Sequence, residues 1–423
     1  MQQIEILPIS DPLNASVSVP GSKSITNRAL LIASLANGTT TLKNALFSDD
    51  SRYLAGGLET LGFEIDLDPA SEQIKVTGLG GKIPASSANL FVGNAGTAAR
   101  FLCAFLTLGN GEYVLDGDQR MRERPIADLV SALTQLGAEI DTTNGLLPLK
   151  ILGTGLPGGK TKVTGNISSQ FLSALLMTAP YAQSPVEIEV TTELLSKPYV
   201  DMTISMMSEF DVEIQQTGYS HFNIYPSTYS SRESYPIESD ASAASYFFAA
   251  PAICGGTVRV ENISRQSKQG DIAFLDVLDR MGCSISEVGN SIQVSGSSLL
   301  QGIEVDMRDI PDTAQTLAAI APFAATPTRI RGIESARVKE TDRVSATCTE
   351  LSRLGVRVEE FRDGMTIYPC ENLQPAAIQT YNDHRMAMAF SLIGLRVAGI
   401  RIENPGCVSK TFPHFFDVLE TLR

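Results

Sequence analysis

The sequence lacks long apolar runs, closely spaced cysteines and an excess of positive charge, and each absence excludes a class of protein. No apolar stretch approaches the ~20 residues that a membrane-spanning helix needs. The start, MQQIEILPIS, has no basic flank followed by an apolar core, so we expect no secretion signal. The six cysteines lie far apart, without a Cys-x-x-Cys pair, which argues against a disulfide framework or a zinc site. Their scatter favours a reducing compartment, and we expect a cytoplasmic protein.

The charge balance limits the partners. There are 33 Lys and Arg residues against 47 Asp and Glu, a formal net charge of −14. Nucleic acids and anionic membranes bind through dense positive surface, so we expect neither as a partner. Small anionic ligands need only a local positive site and stay possible. The length of 423 residues predicts two or more domains, and we expect a monomer.

One short run departs from this acidic background. The stretch ARVKETDRVS holds Arg337, Lys339 and Arg343, with Glu340 and Asp342 between them. A charge run is usually a solvated helix face. A local anion-binding site is the other interpretation, and the repeat pattern of the whole chain bears on the choice.

An internal repeat runs along the chain at intervals of 71 to 74 residues. Each unit opens with small polar or glycine residues that are typical of helix N-caps, followed by mostly apolar residues. The six openings are GSKSITNRALLIASLA, GNAGTAARFLCAFLTL, GNISSQFLSALLMTAP, SDASAASYFFAAPAI, IPDTAQTLAAIAPFA and YNDHRMAMAFSLIGL. An alternating strand, an amphipathic helix and a further short strand follow in most units.

The last unit is incomplete, which predicts that the chain closes on itself. The sixth unit stops after the helix HFFDVLETLR, and the N-terminal segments IEILPI and SVSV are the expected donors of its missing strands. We therefore expect an α/β protein of two similar domains, one of residues 21–236 and one of residues 1–20 plus 237–423. Two hinge segments would join them, one of them within STYSSRESYPIES. A repeat protein can also be a pure binding scaffold, so architecture alone does not predict an enzyme.

The helix openings carry the most varied side chains of the repeat. Helix N-termini present unpaired N–H groups and partial positive charge, which suits anions. A single Ser or Asp there is usually only a cap, but Lys and Arg oppose the dipole at ~0.3–1 kcal/mol each, so their recurrence suggests a compensating anion. The residues at the openings are Lys23, Ser24, Arg28, Asn94, Gly96, Thr97, Arg100, Ser168, Ser169, Gln170, Asp240, Ser242, Asp312, Asp383, His384 and Arg385.

A second recurring place for cations is the loop between the strand and the second helix of a unit. It reads RMRERP, LSKPY, ARVKETDR and VSKTFP in four units. Its polar residues include Arg120, Arg122, Arg124, Ser196, Lys197, Arg337, Lys339, Arg343 and Lys410. Because these cations recur at a loop and not along a helix face, we favour the anion-site interpretation. Two domains meeting across such surfaces would form a cleft for a polyanionic substrate.

Nine blocks, in order and along the whole chain, carry a family resemblance: PGSKSITNRAL, GNAGTAAR, MRERPI, SSQFLSALLMTAP, SKPY, IPDTA, RVKETDR, NDHRMAM and KTFP. With them the chain resembles the 5-enolpyruvylshikimate-3-phosphate synthase family. The resemblance implies two domains, each of three βαβαββ units, in an inside-out α/β barrel. It also implies transfer of the enolpyruvyl group of phosphoenolpyruvate to the 5-hydroxyl of shikimate 3-phosphate, with release of phosphate.

The resemblance assigns expected roles position by position. Shikimate 3-phosphate would be held by Lys23, Ser24, Arg28, Ser168, Ser169, Gln170, Ser196, Asp312, Ser335 and Lys339. Phosphoenolpyruvate would be held by Lys23, Gly96, Arg124, Gln170, Arg343, Arg385 and Lys410, where arginine forks suit carboxylate and phosphate. Asn94, Thr97, Arg100 and His384 are further candidates for the same cleft.

The expected chemistry is addition followed by elimination. Asp312 would accept the proton of the substrate hydroxyl, Glu340 would donate one to the methylene carbon, and Lys23 would neutralise the departing phosphate. No metal or redox cofactor is expected, because the three histidines and six cysteines form no ligand cluster in the sequence.

Two departures and two alternatives accompany the resemblance. The family commonly has Asn and Trp where this chain has Ser335 and Ala336, so one polar contact to shikimate 3-phosphate would be shorter or water-mediated. Phe101 replaces a common Pro and would shift the helix that bears Gly96; we still expect the family's inhibitor glyphosate to bind. The alternatives are the sister transferase acting on UDP-N-acetylglucosamine, whose usual loop cysteine is missing from LDGDQRMRERP, and a non-catalytic scaffold for anionic metabolites.

Overall fold

The computed structural model describes residues 2–423 and falls into two compact units. One is Gly21–Ile237, and the other combines the chain up to Pro20 with Glu238–Arg423. Each unit has a hydrophobic core of its own. That these units are the hinged domains expected from the repeats stays a prediction. Among the described residues, no helix combines the length and apolar character that crossing a membrane requires.

Twenty-three strands and twelve α-helices make up the regular structure of residues 2–423. The strands are β1 (Gln3–Ile6), β2 (Leu13–Val17), β3 (Asn37–Lys43), β4 (Glu64–Asp68), β5 (Gln73–Leu79), β6 (Ser87–Phe91), β7 (Asn110–Asp116), β8 (Glu139–Thr142), β9 (Leu149–Thr154), β10 (Gly159–Val163), β11 (Val186–Val190), β12 (Gln215–Thr217), β13 (His221–Ile224), β14 (Ser234–Pro236), β15 (Gly256–Glu261), β16 (Ser284–Glu287), β17 (Ser291–Ser295), β18 (Glu304–Asp306), β19 (Thr328–Arg331), β20 (Val358–Phe361), β21 (Gly364–Ile367), β22 (Ala377–Ile378) and β23 (Ile400–Glu403). The helices are α1 (Lys23–Leu35), α2 (Asp49–Thr60), α3 (Gly96–Leu106), α4 (Ala127–Gln135), α5 (Ser169–Thr178), α6 (Lys197–Glu209), α7 (Ala241–Cys254), α8 (Phe274–Arg280), α9 (Ala314–Ile320), α10 (Arg343–Arg353), α11 (His384–Gly394) and α12 (Phe415–Glu420). Short 3-10 helices occupy Met121–Glu123, Ala179–Tyr181, Gly270–Ala273, Pro311–Thr313, Ala321–Phe323, Glu334–Val338 and Pro405–Lys410.

All six repeats share one sheet plan. A leading strand pairs in parallel with the strand that follows the first helix, and the last two strands complete the sheet in antiparallel pairing, as in β6-β7-β9-β8 and β18-β19-β21-β20. Five sheets have four strands and the sixth, β1-β23-β22, has three. Parallel pairing requires a crossover connection, and α3, α5, α9 and α11 each connect two parallel strands that pair with each other. The α/β fold class expected from the sequence is confirmed.

The N-terminal segments serve two different repeats. Strand β1 pairs antiparallel with β23 and so completes the sixth sheet, as expected for IEILPI. Strand β2, which contains part of SVSV, pairs in parallel with β15 in the fourth repeat, so the prediction that SVSV completes the sixth unit is wrong. The reason is that the chain passes from one compact unit to the other between a strand and the helix that follows it, first between β2 and α1 and later between β14 and α7. Correspondingly, β14 precedes α7 in sequence but pairs with β3 of the first repeat.

The opening helices begin where the polar residues predict. Ser22, Ser168, Asp240 and Asp383 are N-caps whose side chains accept hydrogen bonds from backbone N–H groups one turn on. The second repeat differs, because Ala95 is the N-cap and makes no side-chain bond. The fifth repeat also differs, because its first turn is the 3-10 segment Pro311–Thr313. In these two repeats the polar side chains of Asn94 and Asp312 bind arginine side chains and do not cap the helix.

Strand β9 offers a direct test of the core. Its side chains alternate, so Leu149 is fully buried while Leu152, on the same strand, is 39% exposed. We expect Leu149→Ala to lower the free energy of unfolding by ~2–5 kcal/mol, through lost burial and the cavity left behind. Leu152→Ala should change it by less than ~1 kcal/mol. Urea unfolding of both variants measures the difference, and equal effects would contradict the observed face assignment.

Candidate active site

A buried group of charges lies in the unit that contains Glu238–Arg423, with Arg343 at its centre. The Arg343 Nε donates to Asp383 Oδ2 at 2.8 Å, Nη2 donates to Glu340 Oε2 at 2.8 Å, and Nη1 donates to Asp312 Oδ1 at 3.1 Å. Only 3% of the Arg343 side chain is exposed. A buried guanidinium is tolerated when carboxylates neutralise it and occupy its donors. Three carboxylates from three segments do so here.

Three further cations approach the same carboxylates. Asp312 Oδ2 accepts from Arg385 Nη2 at 2.7 Å, and its Oδ1 lies 3.9 Å from Lys339 Nζ. Glu340 Oε1 lies 3.8 Å from Lys410 Nζ. Together with Arg343, the group has four cations and three carboxylates, so it carries a formal excess of one positive charge. We call it the Arg343 cluster.

Helix starts place the members of the Arg343 cluster. Arg343 is the first residue of α10, whose N-cap Asp342 accepts from Ser345 N. Asp383 is the N-cap of α11, and the same carboxylate accepts from Arg385 N at 2.9 Å and from Arg343. Asp312 lies in the 3-10 turn before α9, where it does not cap the helix and its carboxylate binds the cations instead.

Charge and burial have opposite effects on the pKa of Arg343. Burial lowers the pKa, but Asp383, Glu340 and Asp312 raise it more, and the net pKa is raised above its ordinary value. Arg343 is therefore charged at every physiological pH. Nearby, burial raises the pKa of Tyr246 to about 12, so its hydroxyl stays neutral while it accepts from Arg385 Nη1 at 3.5 Å.

His384 is buried beside these charges in its neutral form. Its Nδ1 lies 3.5 Å from Asp383 Oδ1, but neither ring nitrogen makes a hydrogen bond to the protein. Burial, followed by the positive charge of Arg385, lowers the pKa of His384 well below its ordinary value. The imidazole thus adds no positive charge to the Arg343 cluster at neutral pH.

The unit Gly21–Ile237 holds a second set of predicted site residues, centred on Arg124. Arg124 is buried, and its Nη1 donates to the Asn94 backbone oxygen at 3.0 Å and to Asn94 Oδ1 at 2.9 Å. Gly96 leaves room for two guanidinium groups, because a Cβ at this position would lie 2.5 Å from Arg124 Nη2 and 2.7 Å from Arg100 Nη1. Asn94 therefore orients Arg124 instead of capping α3.

Arg28 of α1 is fully enclosed by neutral groups. Its Nε donates to Thr203 Oγ1 at 2.7 Å, and its two terminal nitrogens reach the Ser24 oxygen at 2.9 Å and Ser173 Oγ and the Tyr199 oxygen, each at 3.2 Å. Burial lowers the pKa of Arg28 to about 10, which still leaves the side chain charged at pH 7. A charged group surrounded by dipoles alone retains attraction for an anion.

The remaining predicted residues of this unit lie at helix starts. Lys23, the first residue of α1, has its Nζ 3.8 Å from Asp50 Oδ2. Gln170 Nε2 donates to Thr97 Oγ1 at 3.1 Å and so joins α5 to α3. Ser168 and Ser169 begin α5, and Ser196 is the N-cap of α6, with a left-handed backbone at φ 56°.

Some cations of the recurring loops serve other purposes. Arg120 pairs with Glu123, and Arg122 pairs with Asp116, both close to their own loop. Arg337 pairs with Asp342 and Glu360, each at 2.8 Å, so it fixes the loop before α10. The run ARVKETDRVS therefore combines one cation for local structure with two, Lys339 and Arg343, for the Arg343 cluster.

Sequence reasoning missed several supporting side chains. Thr203, Ser173 and Tyr246 hold arginines, and Asp50 holds Lys23, yet none stands in a recurring polar position. Ser173, Thr203 and Tyr246 lie in largely apolar helices, where a hydroxyl gives no distinctive pattern. Asp50 is one of two acidic residues in the first turn of α2, an ordinary position for aspartate. Of the two departures from the family, Ser335 and Ala336 are buried in the 3-10 helix Glu334–Val338, and Phe101 is buried in α3 beneath Arg28. Residues 2–423 contain no group of three or more His, Cys, Asp or Glu residues that could hold a metal ion.

The neutral His384 gives a pH-dependent prediction. In the unfolded chain the imidazole has a pKa near ~6.5, whereas the folded pKa is lower, so the unfolded state binds more protons as the pH falls. Stability is therefore lost below about pH 6.5, and wild type should lose ~1.4 kcal/mol more than His384→Asn between pH 7.5 and 5.5. Urea unfolding at the two pH values measures this. The exposed His414→Asn is the control and should behave as wild type; equal losses in all three proteins would contradict a neutral His384.

Comparison with known proteins identifies the family of this chain. Residues 7–419 match the family model described as EPSP synthase (3-phosphoshikimate 1-carboxyvinyltransferase). Proteins named 3-phosphoshikimate 1-carboxyvinyltransferase from Trichormus variabilis and Shewanella denitrificans are 53% and 50% identical over 418 and 420 residues, 98% of each chain. The solved EPSP synthase of Acinetobacter baumannii superposes with a TM-score of 0.82 at 25% identity, over 99% of this chain and 98% of that one. The chain belongs to the EPSP synthase family of carboxyvinyl transferases.

Proposed function

We propose that this protein transfers the enolpyruvyl group of phosphoenolpyruvate to the 5-hydroxyl of shikimate 3-phosphate, releasing phosphate. The observation that carries the proposal is the Arg343 cluster, in which two carboxylates suited to proton transfer share buried cations suited to an anionic substrate. Family membership specifies the reaction and disfavours the UDP-N-acetylglucosamine alternative and a non-catalytic scaffold.

Phosphoenolpyruvate binds the buried arginines in this proposal. Arg343 and Arg385 present guanidinium groups that carboxylates already orient, so little side-chain entropy is lost when the substrate arrives. Arg124, held by Asn94, is fixed in the same manner. The remaining phosphoenolpyruvate contacts come from Lys23, Gly96, Gln170 and Lys410.

Shikimate 3-phosphate binds through hydroxyls, helix starts and two further cations. Ser168, Ser169 and Gln170 offer side chains and N–H groups at the start of α5, where a phosphate is favoured. Arg28 and Lys339 add to the positive charge of Lys23, and Arg28 is surrounded by neutral dipoles, so it retains attraction for an anion. The full set is Lys23, Ser24, Arg28, Ser168, Ser169, Gln170, Ser196, Asp312, Ser335 and Lys339.

Two proton transfers accompany the addition. Asp312 accepts the proton of the 5-hydroxyl as its oxygen attacks the second carbon of phosphoenolpyruvate, and Glu340 donates a proton to the methylene carbon. A tetrahedral adduct results. In its breakdown Glu340 takes a proton back from the new methyl group, and phosphate leaves with the proton that Asp312 had accepted, which restores the carbon–carbon double bond. Lys23 stabilises the charge that develops on the departing phosphate.

Substrate binding redistributes the ion pairs of the cluster. Asp312 accepts from Arg385 and lies near Arg343 and Lys339, so substrate anions that draw on these cations weaken their hold on its carboxylate. A carboxylate with fewer cationic neighbours is a better proton acceptor. The cations therefore fix the position of Asp312 before the substrates bind. After binding, Asp312 is a stronger base, because the substrate anions share these cations.

The setting proposed for this reaction follows the sequence expectations. We propose a monomer of two domains, residues 21–236 and residues 1–20 plus 237–423, that works in the cytoplasm without metal or redox cofactor. The free thiols of all six cysteines are compatible with a reducing compartment. Glyphosate binds at the phosphoenolpyruvate residues in the same proposal.

A phosphate-release assay tests the function directly. Phosphoenolpyruvate together with shikimate 3-phosphate should release phosphate continuously, whereas phosphoenolpyruvate with UDP-N-acetylglucosamine should not. Release with the second acceptor alone would favour the sister activity, and release with neither would favour a scaffold. Titration with glyphosate in the same assay should raise the apparent KM for phosphoenolpyruvate.

Removing either proton-transfer group should impair turnover more than binding. We expect Asp312→Asn and Glu340→Gln each to lower kcat ~100–10,000-fold, because each amide preserves size while abolishing proton transfer. Steady-state kinetics with both substrates measures kcat and KM separately. If either variant retained near-wild-type kcat, the residue it replaces would not be the proton-transfer group proposed here.

Gly96 should control phosphoenolpyruvate binding through Arg124. In Gly96→Ala the new methyl group would lie 2.5 Å from Arg124 Nη2, so the guanidinium must move. We expect the KM for phosphoenolpyruvate to rise at least ~10-fold, because a loss of 1.4 kcal/mol in a charged contact corresponds to that factor. Gly56→Ala in α2 is the matched control, since nothing lies within 4 Å of its added methyl group. Equal kinetics in both variants would contradict the role of Arg124.

A further inference from the structure

A strained turn precedes the predicted anion-binding residues of α11. Tyr381 and Asn382 have φ of 53° and 54°, and in residues 2–423 they are the only two consecutive non-glycine residues with positive φ. Asp383 N donates to the Thr380 oxygen at 2.8 Å and closes the turn. Positive φ at both central residues is the signature of a type I′ turn, which normally selects Gly, Asn or Asp. Tyrosine is unfavourable there, so other contacts must stabilise this conformation.

Glu350, on α10, supplies such contacts with both carboxylate oxygens. Its side chain is fully buried. Oε1 accepts from the Tyr381 hydroxyl at 2.8 Å, and Oε2 accepts from Gln379 N at 3.1 Å and from Arg353 Nη1 at 2.6 Å. The carboxylate is thus joined to the backbone just before the turn and to a side chain within it. Because a buried carboxylate is strongly held by such donors, the turn is fixed relative to α10.

The turn is fixed from a second direction as well. Asn382 Oδ1 accepts from Asn404 Nδ2 at 3.2 Å. Asn404 is the left-handed N-cap of the 3-10 helix Pro405–Lys410, whose last residue belongs to the Arg343 cluster. The turn therefore connects the segments that carry Asp383, Arg385 and Lys410.

Contacts between α10 and the start of α11 occur at two levels. In the first turn of α10, Arg343 donates to Asp383, and two turns later Glu350 binds Gln379 and Tyr381. The first contact belongs to the proposed substrate site, whereas the second lies away from it. The second contact joins α10 to the segment that immediately precedes Asp383, the N-cap of α11.

We propose that Glu350 and Tyr381 are positioning residues, which hold the turn Thr380–Asp383 so that Arg343 and Arg385 face their anionic ligand correctly. The inference rests on the proposed function, because it assigns those arginines to phosphoenolpyruvate. Neither residue is among those assigned to either substrate. Their effect passes through Asp383, which accepts from both Arg343 and the Arg385 backbone.

Tyr381→Phe is the decisive variant, since it removes a single hydroxyl. We expect its KM for phosphoenolpyruvate to rise about tenfold, because displacement of a positioned group by less than ~1 Å has effects of this order. The KM for shikimate 3-phosphate should stay within about twofold of wild type, because proposed groups such as Arg28 and Gln170 are held by contacts within Gly21–Ile237. Glu350→Gln should change the same constants in the same direction. If Glu350→Gln does not fold, Tyr381→Phe alone decides.

Tyr368→Phe is the matched control. The Tyr368 hydroxyl also donates to a carboxylate, Glu359 Oε1 at 3.0 Å, but it contacts no part of the turn or the Arg343 cluster in the described hydrogen bonds. Its loss should leave both KM values unchanged. A rise of the phosphoenolpyruvate KM in Tyr368→Phe equal to that in Tyr381→Phe would overturn the inference.

Hydrogen exchange separates this inference from the proposed function. Without any substrate, the amides of residues 380–386 should exchange faster in Tyr381→Phe than in wild type or Tyr368→Phe. Faster exchange with an unchanged phosphoenolpyruvate KM would show that the turn does not position the arginines, and unchanged exchange would show that Tyr381 does not hold the turn. Either result overturns the inference. If wild type releases no phosphate in the two-substrate assay, the proposed function fails, and the exchange result still decides whether Tyr381 holds the turn.

Discussion

The buried charge of Arg343 is the constraint on which the candidate site depends. A guanidinium that is almost entirely shielded from water is stable only if carboxylates reach it with good geometry. Three do, and each comes from a different segment: the loop before α10, the start of α11 and the 3-10 turn before α9. The relative placement of these segments is therefore fixed by electrostatics as well as by apolar packing. Loss of one carboxylate would leave a buried positive charge that the others balance less well.

The same arrangement explains how an acidic protein can bind anions. The net charge of −14 is a property of the whole chain, whereas the Arg343 cluster has one more cation than carboxylate. Its two arginines, Arg343 and Arg385, are buried, and salt screens buried charges weakly. Short-range attraction in a low-dielectric setting then outweighs the unfavourable long-range field. Local charge, and not the total, determines which ligands such a protein can hold.

Much of the fold was predictable from the sequence because the repeat is visible in it. Polar openings followed by apolar helices predict α1, α3, α5, α7 and α11 by position, and period-two alternation predicts strands such as β9. The destination of β2 was not predictable by the same reasoning. A leading strand looks alike whether it pairs with the next repeat or with a distant one, and only the tertiary structure shows that β2 joins β15.

The candidate site was predictable to the extent that its chemistry uses distinctive residues. Cations at helix starts and in loops are distinctive in an acidic chain, and the sequence therefore predicts Arg124, Arg343 and Arg385 as site candidates. The side chains that hold the arginines in place are not distinctive. Thr203 and Ser173, which hold Arg28, are small hydroxyl residues within apolar helices, and Glu350 occupies a helix position where glutamate is ordinarily a solvated residue.

The repeat also shows how one local geometry can serve different ends. In the second repeat the loop after the strand carries Arg124, which Asn94 orients at a helix start. In the fourth repeat the equivalent loop carries Gln269, whose Nε2 donates to the Ser239 oxygen at 2.7 Å and whose Oε1 accepts from Ala241 N at 3.0 Å. That loop thus fastens the start of α7, next to the segment where the chain passes from one unit to the other. In both repeats the loop lies close to its own helix start, and the side chain at that place is a charged Arg124 in one repeat and a neutral Gln269 in the other.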